Sequence, residues 1–497
     1  MTPQVAPKGD RVGGNVPIEF LECRVLLSVS SVWRADAIHT FQVLHTAAAT
    51  PYVGAAASGI TPAQMTQAYG VNQIRFGTVA GNGAGQTIAL IDAFDDPNAL
   101  ADLTAFDSYY GLPNPPSFLK LNESGSATSL PGVDPSPKGN TWELEESLDI
   151  EWAHTIAPQA NLILYEANSP AWTDLISAVG TAASNSAVTA VSMSFGSPEQ
   201  TGETYYDGSF NAANATFLAS TGDTGGGGSY PASSPNVVAV GGTGLSVDSS
   251  GNYLGESAWS GSNGGISTQE AEPAWQQSVQ STGWRTTPDV AMDADPATGV
   301  PVYDSFDGGA ATPWFTVGGT SLATPMWAGL IAIADQGRTI NGLAPLTSTQ
   351  AHQMLYSAPA GDFHDVTAGG NTGFGAGPGY DEVTGRGSPV ANLLVPYLAG
   401  SAATQPSPPA TASFTGVDFA TQGTWGGTYG ADGYDIFNDS ASLPAYAQLS
   451  TAGAQSWTWA SPTANPRAMQ NSPGASTRTA SCLYSGSSFS LDLNLTD

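Results

Sequence analysis

Four stretches of the chain hold polar side chains in settings that suit chemistry. Ser321 lies in Gly318-Gly319-Thr320-Ser321-Leu322-Ala323-Thr324-Pro325. Glycines ahead of a serine let the backbone turn tightly and present the hydroxyl, and the apolar run after Pro325 reads as a buried helix. A serine at a helix N-terminus sits at the positive end of the macrodipole, which favours a developing anion. It is equally the ordinary helix-capping residue. Glu145 and Asp149 lie in Glu143-Leu144-Glu145-Glu146-Ser147-Leu148-Asp149-Ile150-Glu151. At i and i+4 they are neighbours on one helix face. Two adjacent carboxyls titrate together, one with a raised pKa. One member of such a pair can take a proton from a hydroxyl while the other orients it. From spacing alone the simpler reading is an exposed acidic face, to which Glu143, Glu146 and Glu151 are assigned. Asp223 stands in Ser220-Thr221-Gly222-Asp223-Thr224-Gly225. A protonated aspartate there could donate to an oxyanion, and only while neutral; alone, it is a turn former. Asp365 and Asp381 lie in loops rich in glycine, where hard cations find carboxylate and carbonyl oxygens.

The elements that must position these groups follow a regular pattern. Pro62 at a first turn opens a helix through Tyr69. Thr87 to Ile91 is a nearly continuous apolar run, as a strand buried on both faces requires. Helices are predicted over Asn98 to Tyr110, Trp142 to Ile156, Trp172 to Ala183 and Phe210 to Leu218. Strands are predicted over Asn161 to Tyr165, Ala187 to Met193 and Val237 to Val240. Strands alternating with helices predict an α/β fold with a parallel sheet covered on both faces. Asp92 closes the first strand and is assigned a structural role.

Taken together, these strings resemble the sedolisin family of serine-carboxyl peptidases, relatives of the subtilisins. The Ser321 string is similar to the nucleophile motif of that clan. The Glu145 to Glu151 string is similar to the sedolisin motif Glu-x-x-Leu-Asp-Ile-Glu, and Gly222-Asp223 stands where subtilisins carry Gly-Asn. Ala93-Phe94-Asp95-Asp96-Pro97, Val191-Ser192-Met193-Ser194-Phe195-Gly196 and Tyr230-Pro231-Ala232-Ser233-Ser234-Pro235 extend the likeness over residues 60–399. The resemblance implies a subtilisin-like three-layer α/β fold with a central, mainly parallel sheet. It implies Ser321 as nucleophile, Glu145 as base, Asp149 as its partner and Asp223 as an oxyanion donor. It also implies one structural Ca²⁺ held by Asp365, Asp381 and the carbonyls of Val366, Gly377 and Gly379. The substrates so implied are proteins or peptides cleaved in acid, since a carboxylate base works near its pKa of about 4 to 5. None of His39, His45, His154, His352 or His364 has the setting of a subtilisin histidine. The sedolisin prosegment is long, and the residues before 60 are too few for it.

Bulk composition agrees. Lys+Arg is 12 against Asp+Glu 42, a net charge of -30. Such a surface repels nucleic acid and anionic membranes, and suits either solubility outside the cell or acid surroundings. No run of about 18 apolar residues predicts a membrane span. Leu21-Glu22-Cys23-Arg24-Val25-Leu26-Leu27-Ser28 resembles the LEPR-XLL motif of planctomycete secreted proteins, with Cys23 in place of proline. That points to export, to the exterior or the cell surface; a monomer is expected separately. Residues 1–59 read as an export-type or short pro region and 400–411 as a Pro-rich linker. Residues 412–497 read as a partial β-sandwich-like module. There Trp457 and Trp459 are assigned to the core, and Phe489 to Leu495 alternates as a half-buried strand. The two cysteines, Cys23 and Cys482, are not expected to pair. The competing expectation is a catalytically inactive, peptidase-like surface binding or adhesion protein; a carbohydrate-binding tail is a further one.

Overall fold

The computed structural model describes residues 57–400 continuously, the short strands Ile38–His39, Gln42–Val43 and Val53–Gly54, and most of 421–495. Leu21 to Ser28, the linker 400–411 beyond its first residue, and Phe489 lie outside the described residues. The chain divides into two compact units, Met1–Pro408 and Pro409–Asp497.

In the first unit eight strands build one sheet. They are β1 (Thr87–Ala93), β2 (Phe118–Asn122), β3 (Asn161–Ala167), β4 (Ala190–Met193), β5 (Thr216–Ser220), β6 (Val238–Val247), β7 (Tyr253–Ala258) and β8 (Val290–Asp293). Their order is β7-β6-β5-β4-β1-β3-β2, with β8 also paired to β6. Only the β6–β7 pairing is antiparallel. Every residue of β1, β4, β5 and β8 is buried, because helices cover both faces and no solvated side remains. One face carries α1 (Pro62–Ala68), α2 (Ala99–Tyr110) and α3 (Trp142–Ile156), together with the long helix that begins at the nucleophile string. The other face is covered by α4 (Trp172–Ser184). After the one-turn α5 (Ser305–Gly308) comes that long helix, α6 (Thr320–Ile340). No helix among the described residues is long and apolar enough to cross a membrane.

Two local expectations fail. Phe210 to Leu218 is not helical; a 3₁₀ segment Glu203–Ser209 ends there and Thr216–Ser220 is a strand. Thr216 and Phe217 suit extended backbone, and pairing with β4 and β6 on both sides decides the outcome. Helix α6 also begins at Thr320, before Pro325 and not after it. Proline lacks the N–H that would reach the carbonyl four residues back. That carbonyl belongs to Ser321, and the Ser194 hydroxyl lies 3.4 Å from it instead.

Helices α3 and α6 cross at Gly329. A Cβ there would stand 2.8 Å from Ile156 Cβ and 3.3 Å from the Ala153 carbonyl oxygen. The missing side chain lets two helices that carry Glu145 and Ser321 approach closely.

In the second unit, Gln455–Thr463 pairs with Arg478–Tyr484, which pairs with Met469–Gln470. Ala447–Ala452 pairs with Ser490–Leu495. Trp425 is buried, its indole donating to the Gln470 carbonyl (2.9 Å). Trp457 and Trp459 are 57% and 66% exposed, against the core assignment. Their strand shows no buried position, because no second layer covers it among the described residues. Cys482 is a free thiol.

Gly329→Val is expected to lower the thermal unfolding midpoint, followed by circular dichroism, with an overpacking cost of about 1–3 kcal/mol. An unchanged midpoint would show that the α3–α6 contact is looser than described.

Candidate active site

All fifteen residues of α3 are buried. Thr141 caps it, accepting from the Leu144 N–H (3.4 Å), and its hydroxyl is fixed by Asp307 (2.7 Å). Asp134 accepts from the Trp142 N–H (3.0 Å), while Glu143 accepts from the Asp134 N–H (2.7 Å). Glu143, Glu146 and Glu151 are therefore not an exposed face. Glu151 accepts the Tyr303 N–H (3.1 Å). Glu146 faces Glu166, Asp96, Asp92 and Glu143. The signal for this was present: Trp142, Leu144, Leu148, Ile150 and Trp152 surround the helix, and a helix apolar all round is buried.

Glu145 and Asp149 share the side of α3 that meets the start of α6. Both are fully buried. Burial raises the pKa of each well above the ordinary carboxyl range. Asp149 and Asp92 raise Glu145 further, and a hydrogen bond from the Ser321 hydroxyl acts the other way. That bond is a loose one, since neither Glu145 oxygen closes a hydrogen bond of full geometry. Asp149 Oδ1 accepts from the Ser194 hydroxyl (2.8 Å), and Ser321 Oγ lies 3.4 Å from the Ser194 carbonyl oxygen. Ser194 thus ties the carboxyl pair to the nucleophile string, a role the sequence reading missed. Asp92, at the end of β1, is fully buried and pushed up to about 8 by burial; its charge bears on Glu145, Asp149 and Glu146.

Asp223 joins from the loop after β5. Its Oδ1 accepts from the Thr320 N–H (2.9 Å) and hydroxyl (2.8 Å). The Thr320 hydroxyl oxygen in turn accepts the Gly222 N–H (3.0 Å). Burial raises Asp223 to about 7, against the two bonds from Thr320. Gly222 has φ +101°, and a Cβ there would meet Asn263 Nδ2 at 2.6 Å. Asn263 fixes the loop by accepting from the N–H groups of Thr224 (2.9 Å) and Gly226 (3.2 Å). On the nucleophile side Gly319 has φ +116°, and a Cβ on Gly318 would stand 2.6 Å from the Ala294 carbonyl oxygen. Both approaches demand glycine.

Histidine takes no part among the described side chains. His154 Nε2 bonds the Pro113 carbonyl (2.7 Å), His352 bonds Val237 and Asp289 (both 3.2 Å), and His364 stacks on Tyr253.

The calcium candidates lie together. The Gly379 N–H donates to both Asp365 oxygens (3.0 and 3.1 Å) and the Gly377 N–H to Asp381 Oδ2 (3.0 Å). Asp381 Oδ1 accepts from the N–H groups of Val383 (2.9 Å) and Thr384 (2.8 Å). No group of three or more His, Cys, Asp or Glu side chains that could hold a metal occurs among the described residues. Two carboxylates and loop carbonyls are nonetheless a donor set of the kind Ca²⁺ accepts.

The fold and this site define a subtilisin-like α/β protein in which carboxyls, not imidazole, face the serine. A family model described as the subtilase family matches residues 138–377. Kumamolisin of Bacillus sp. (strain MN-32) is 32% identical over 393 residues, covering 70% of this chain and 65% of that protein. Sedolisin of Pseudomonas sp. (strain 101) is 29% identical over 412 residues, covering 75% and 66%. A solved structure of Pseudomonas sedolisin, complexed with pseudo-iodotyrostatin, superposes with a TM-score of 0.58 at 28% identity, over 70% of this chain and 99% of that one. Together these likenesses support the sedolisin family for this chain. It spans just under two thirds of the length of the two relatives, 65% and 66%.

The buried carboxyls set a pH dependence of stability. Asp96, Asp92 and Glu166 are raised to about 7, 8 and 9 by burial, and Asp223 to about 7. Unfolded, such groups titrate near 4. Between those limits the folded state binds more protons than the unfolded one, so stability falls as pH rises. The stabilisation is complete below about pH 4 and lost progressively up to about pH 9. Thermal melts from pH 4 to pH 8 are expected to show a steadily decreasing midpoint. A midpoint that rises over this range would contradict the carboxyl burial.

Proposed function

We propose that the protein is a secreted serine endopeptidase that hydrolyses peptide bonds of protein substrates in acid, through Ser321, Glu145 and Asp149. The observation that carries this reading is the Ser321 hydroxyl set against the Glu145 carboxyl, with Asp149 one helical turn along. Ser321 Oγ attacks the substrate carbonyl carbon while its proton passes to Glu145. The C–N bond breaks as Glu145 returns that proton to the leaving amine. Water then hydrolyses the acyl-enzyme by the reverse proton path. Three buried carboxyls within reach of one another do not all ionise, so Asp149 and Asp92 hold protons while Glu145 carries the working charge. Asp223, neutral below about 7, donates to the oxyanion at the positive end of α6.

One Ca²⁺ would be held by Asp365, Asp381 and the carbonyls of Val366, Gly377 and Gly379. Each Asp365 oxygen, which accepts the Gly379 N–H, retains a second lone pair for the ion. The ion would fix the loop 377–381 and supply no step of the reaction. Export is supported by the N-terminal motif, and the net charge of -30 supports a monomer with no affinity for nucleic acid.

Hydrolysis of a denatured protein is expected to be greatest in acid, below the pH of about 7 at which Asp223 ionises. Ser321→Ala and Glu145→Gln are each expected to lower kcat by about 10⁴-fold or more. A rate that peaks at neutral pH, or survives in Ser321→Ala, would sink the reading. Chelation with EDTA is expected to lower the unfolding midpoint, a bound ion at a hundred times its Kd being worth about 2.7 kcal/mol. No shift on chelation would dismiss the ion.

A further inference from the structure

A slot with an acidic end opens beside Ser321. Its first wall is the strand Phe195–Pro198, entered from Ser194, whose carbonyl oxygen lies 3.4 Å from Ser321 Oγ. The facing wall is the run from Thr221 to Tyr230, which contains Asp223. Ser197 pairs with Tyr230 and Pro198 with Ser229, and the Ser229 hydroxyl donates to the Thr221 carbonyl (2.5 Å). Four consecutive glycines, Gly225 to Gly228, leave the second wall bare of side chains. Gly225 and Gly227 have φ +75° and +73°, and Gly227 pairs with Gly264. Gly196 leaves the first wall bare as well, since a Cβ there would stand 3.6 Å from Ser229 Oγ. Gly227 and Thr268 are exposed at the rim.

Glu199 stands where the slot ends. A Cβ on Gly228 would meet the Glu199 carboxyl carbon at 2.9 Å. Glu199 Oε2 accepts from the Thr268 N–H (2.8 Å) and hydroxyl (3.2 Å). Its Oε1 is buried and meets no hydrogen-bond donor among the described residues. Two further carboxyls, Glu203 and Glu270, lie within electrostatic reach of it. Glu270 is 5% exposed, and its Oε1 is likewise without a donor. Burial raises Glu203 to about 8 and Glu270 to about 7, so both are neutral in acid. Arg285 bears on Glu270 but is committed to Asp289 at 2.6 Å. A buried oxygen left without a donor costs free energy until one arrives, and a charged donor satisfies it best. A slot bare along its length and acidic at its end fits a side chain with an apolar stem and a cationic tip.

We infer that this slot receives the side chain of the substrate residue whose carbonyl Ser321 attacks, that Glu199 selects a cation there, and that the chain cuts after lysine or arginine. A carbonyl carbon within reach of Ser321 Oγ, its oxygen turned to Asp223, brings its own side chain to the mouth between Ser194 and Gly222. The stem then runs along the glycines and the ammonium or guanidinium donates to Glu199 Oε1. A neutral side chain of the same length leaves that oxygen unmet, which is how a site built for a polar group rejects an analogue lacking it. The inference rests on the peptidase reading above, and its test keeps the two apart.

Peptides that differ only in the residue before the scissile bond (arginine, lysine, norleucine, phenylalanine or glutamate) are offered to the full chain at one acid pH. The arginine and lysine peptides are expected to show kcat/KM about tenfold or more above the norleucine peptide. In Glu199→Gln the arginine-to-norleucine ratio is expected to fall by about tenfold or more, a change that a general loss of folded protein would not produce. Ser321→Ala, titrated with the arginine and norleucine peptides in a calorimeter, reads the slot without turnover and is expected to bind the arginine peptide about tenfold more tightly. Equal hydrolysis of all five peptides, or a preference for norleucine or phenylalanine, overturns this inference and leaves the peptidase reading standing. An unchanged ratio in Glu199→Gln overturns it as well. Hydrolysis of none of the peptides overturns the peptidase reading; tighter binding of the arginine peptide by Ser321→Ala would then keep the slot, and equal binding would overturn both.

Discussion

Desolvation of carboxyl groups is the constraint from which the rest of the structure follows. Helix α3 carries five acids into a helix–sheet interface where all of them are buried. A carboxylate there loses its hydration and gains no cation to replace it, so the neutral form is favoured. Among the described residues Lys120 brings a cation to this acidic cluster, paired to Asp95 at 2.6 Å and to Glu166 at 3.4 Å. It serves the Glu146 and Glu166 end and lowers Glu166 only against a larger burial effect. At the Glu145 end the strongest counterweight is a serine hydroxyl. A base built this way holds its proton more firmly than an exposed glutamate, and its neighbours must remain protonated for it to carry charge. Chemistry and stability are thus both tied to acid.

Elsewhere in the same domain an aspartate is treated in the opposite way. Asp289 is just as buried, yet its pKa is lowered, because Arg285, His352 and Tyr356 surround it with a positive charge and donors. The contrast separates two uses of a buried carboxyl. Asp289 is ionised and fully paired, which suits a permanent strut between the loop after Arg285 and the strand that begins at Val290. Asp92, Glu145 and Asp149 are denied such partners and keep exchangeable protons. Burial alone does not distinguish them; the presence of a guanidinium within 2.6 Å does.

Much of the site was legible in the sequence because backbone demands leave fixed marks. Gly318 and Gly319 ahead of Ser321, and Gly222 ahead of Asp223, are positions where a side chain would collide or a positive φ is needed. The i and i+4 spacing of Glu145 and Asp149 put both on one face. The helix bounds Trp142 to Ile156, expected from the sequence, are those of the structure. What the five acids of α3 obscured was burial, although the apolar residues around the helix carried a signal of it. Periodicity marks a helix as amphipathic only when one side is polar, and the acids of α3 imitate a polar side while facing a packed interior. Strand β5 failed for a related reason: Thr216 and Phe217 fit either state until their neighbours in the sheet are known. Trp457 and Trp459 misled in the reverse direction, since alternating aromatics imply a covered face only if a second layer exists.

In the proposed mechanism, the oxyanion side would obey the same proton logic as the base. An asparagine amide donates hydrogen bonds at any pH, whereas an aspartate donates only when neutral. Placing Asp223 out of water raises its pKa to about 7, and Thr320 aligns it through two bonds to a single oxygen. Thr320 is also the residue ahead of Ser321 and the first of α6, so the donor and the nucleophile are positioned by one backbone unit. Raising the pH would then disable this donor by ionisation in the range where repulsion among Asp92, Glu145 and Asp149 begins to grow. A carboxyl-based site of this design has no setting in which its base is ionised freely and its donor retained; it works only while most of its acids are silent. On the proposed reading, the burial that silences them is part of the mechanism and not only of the fold.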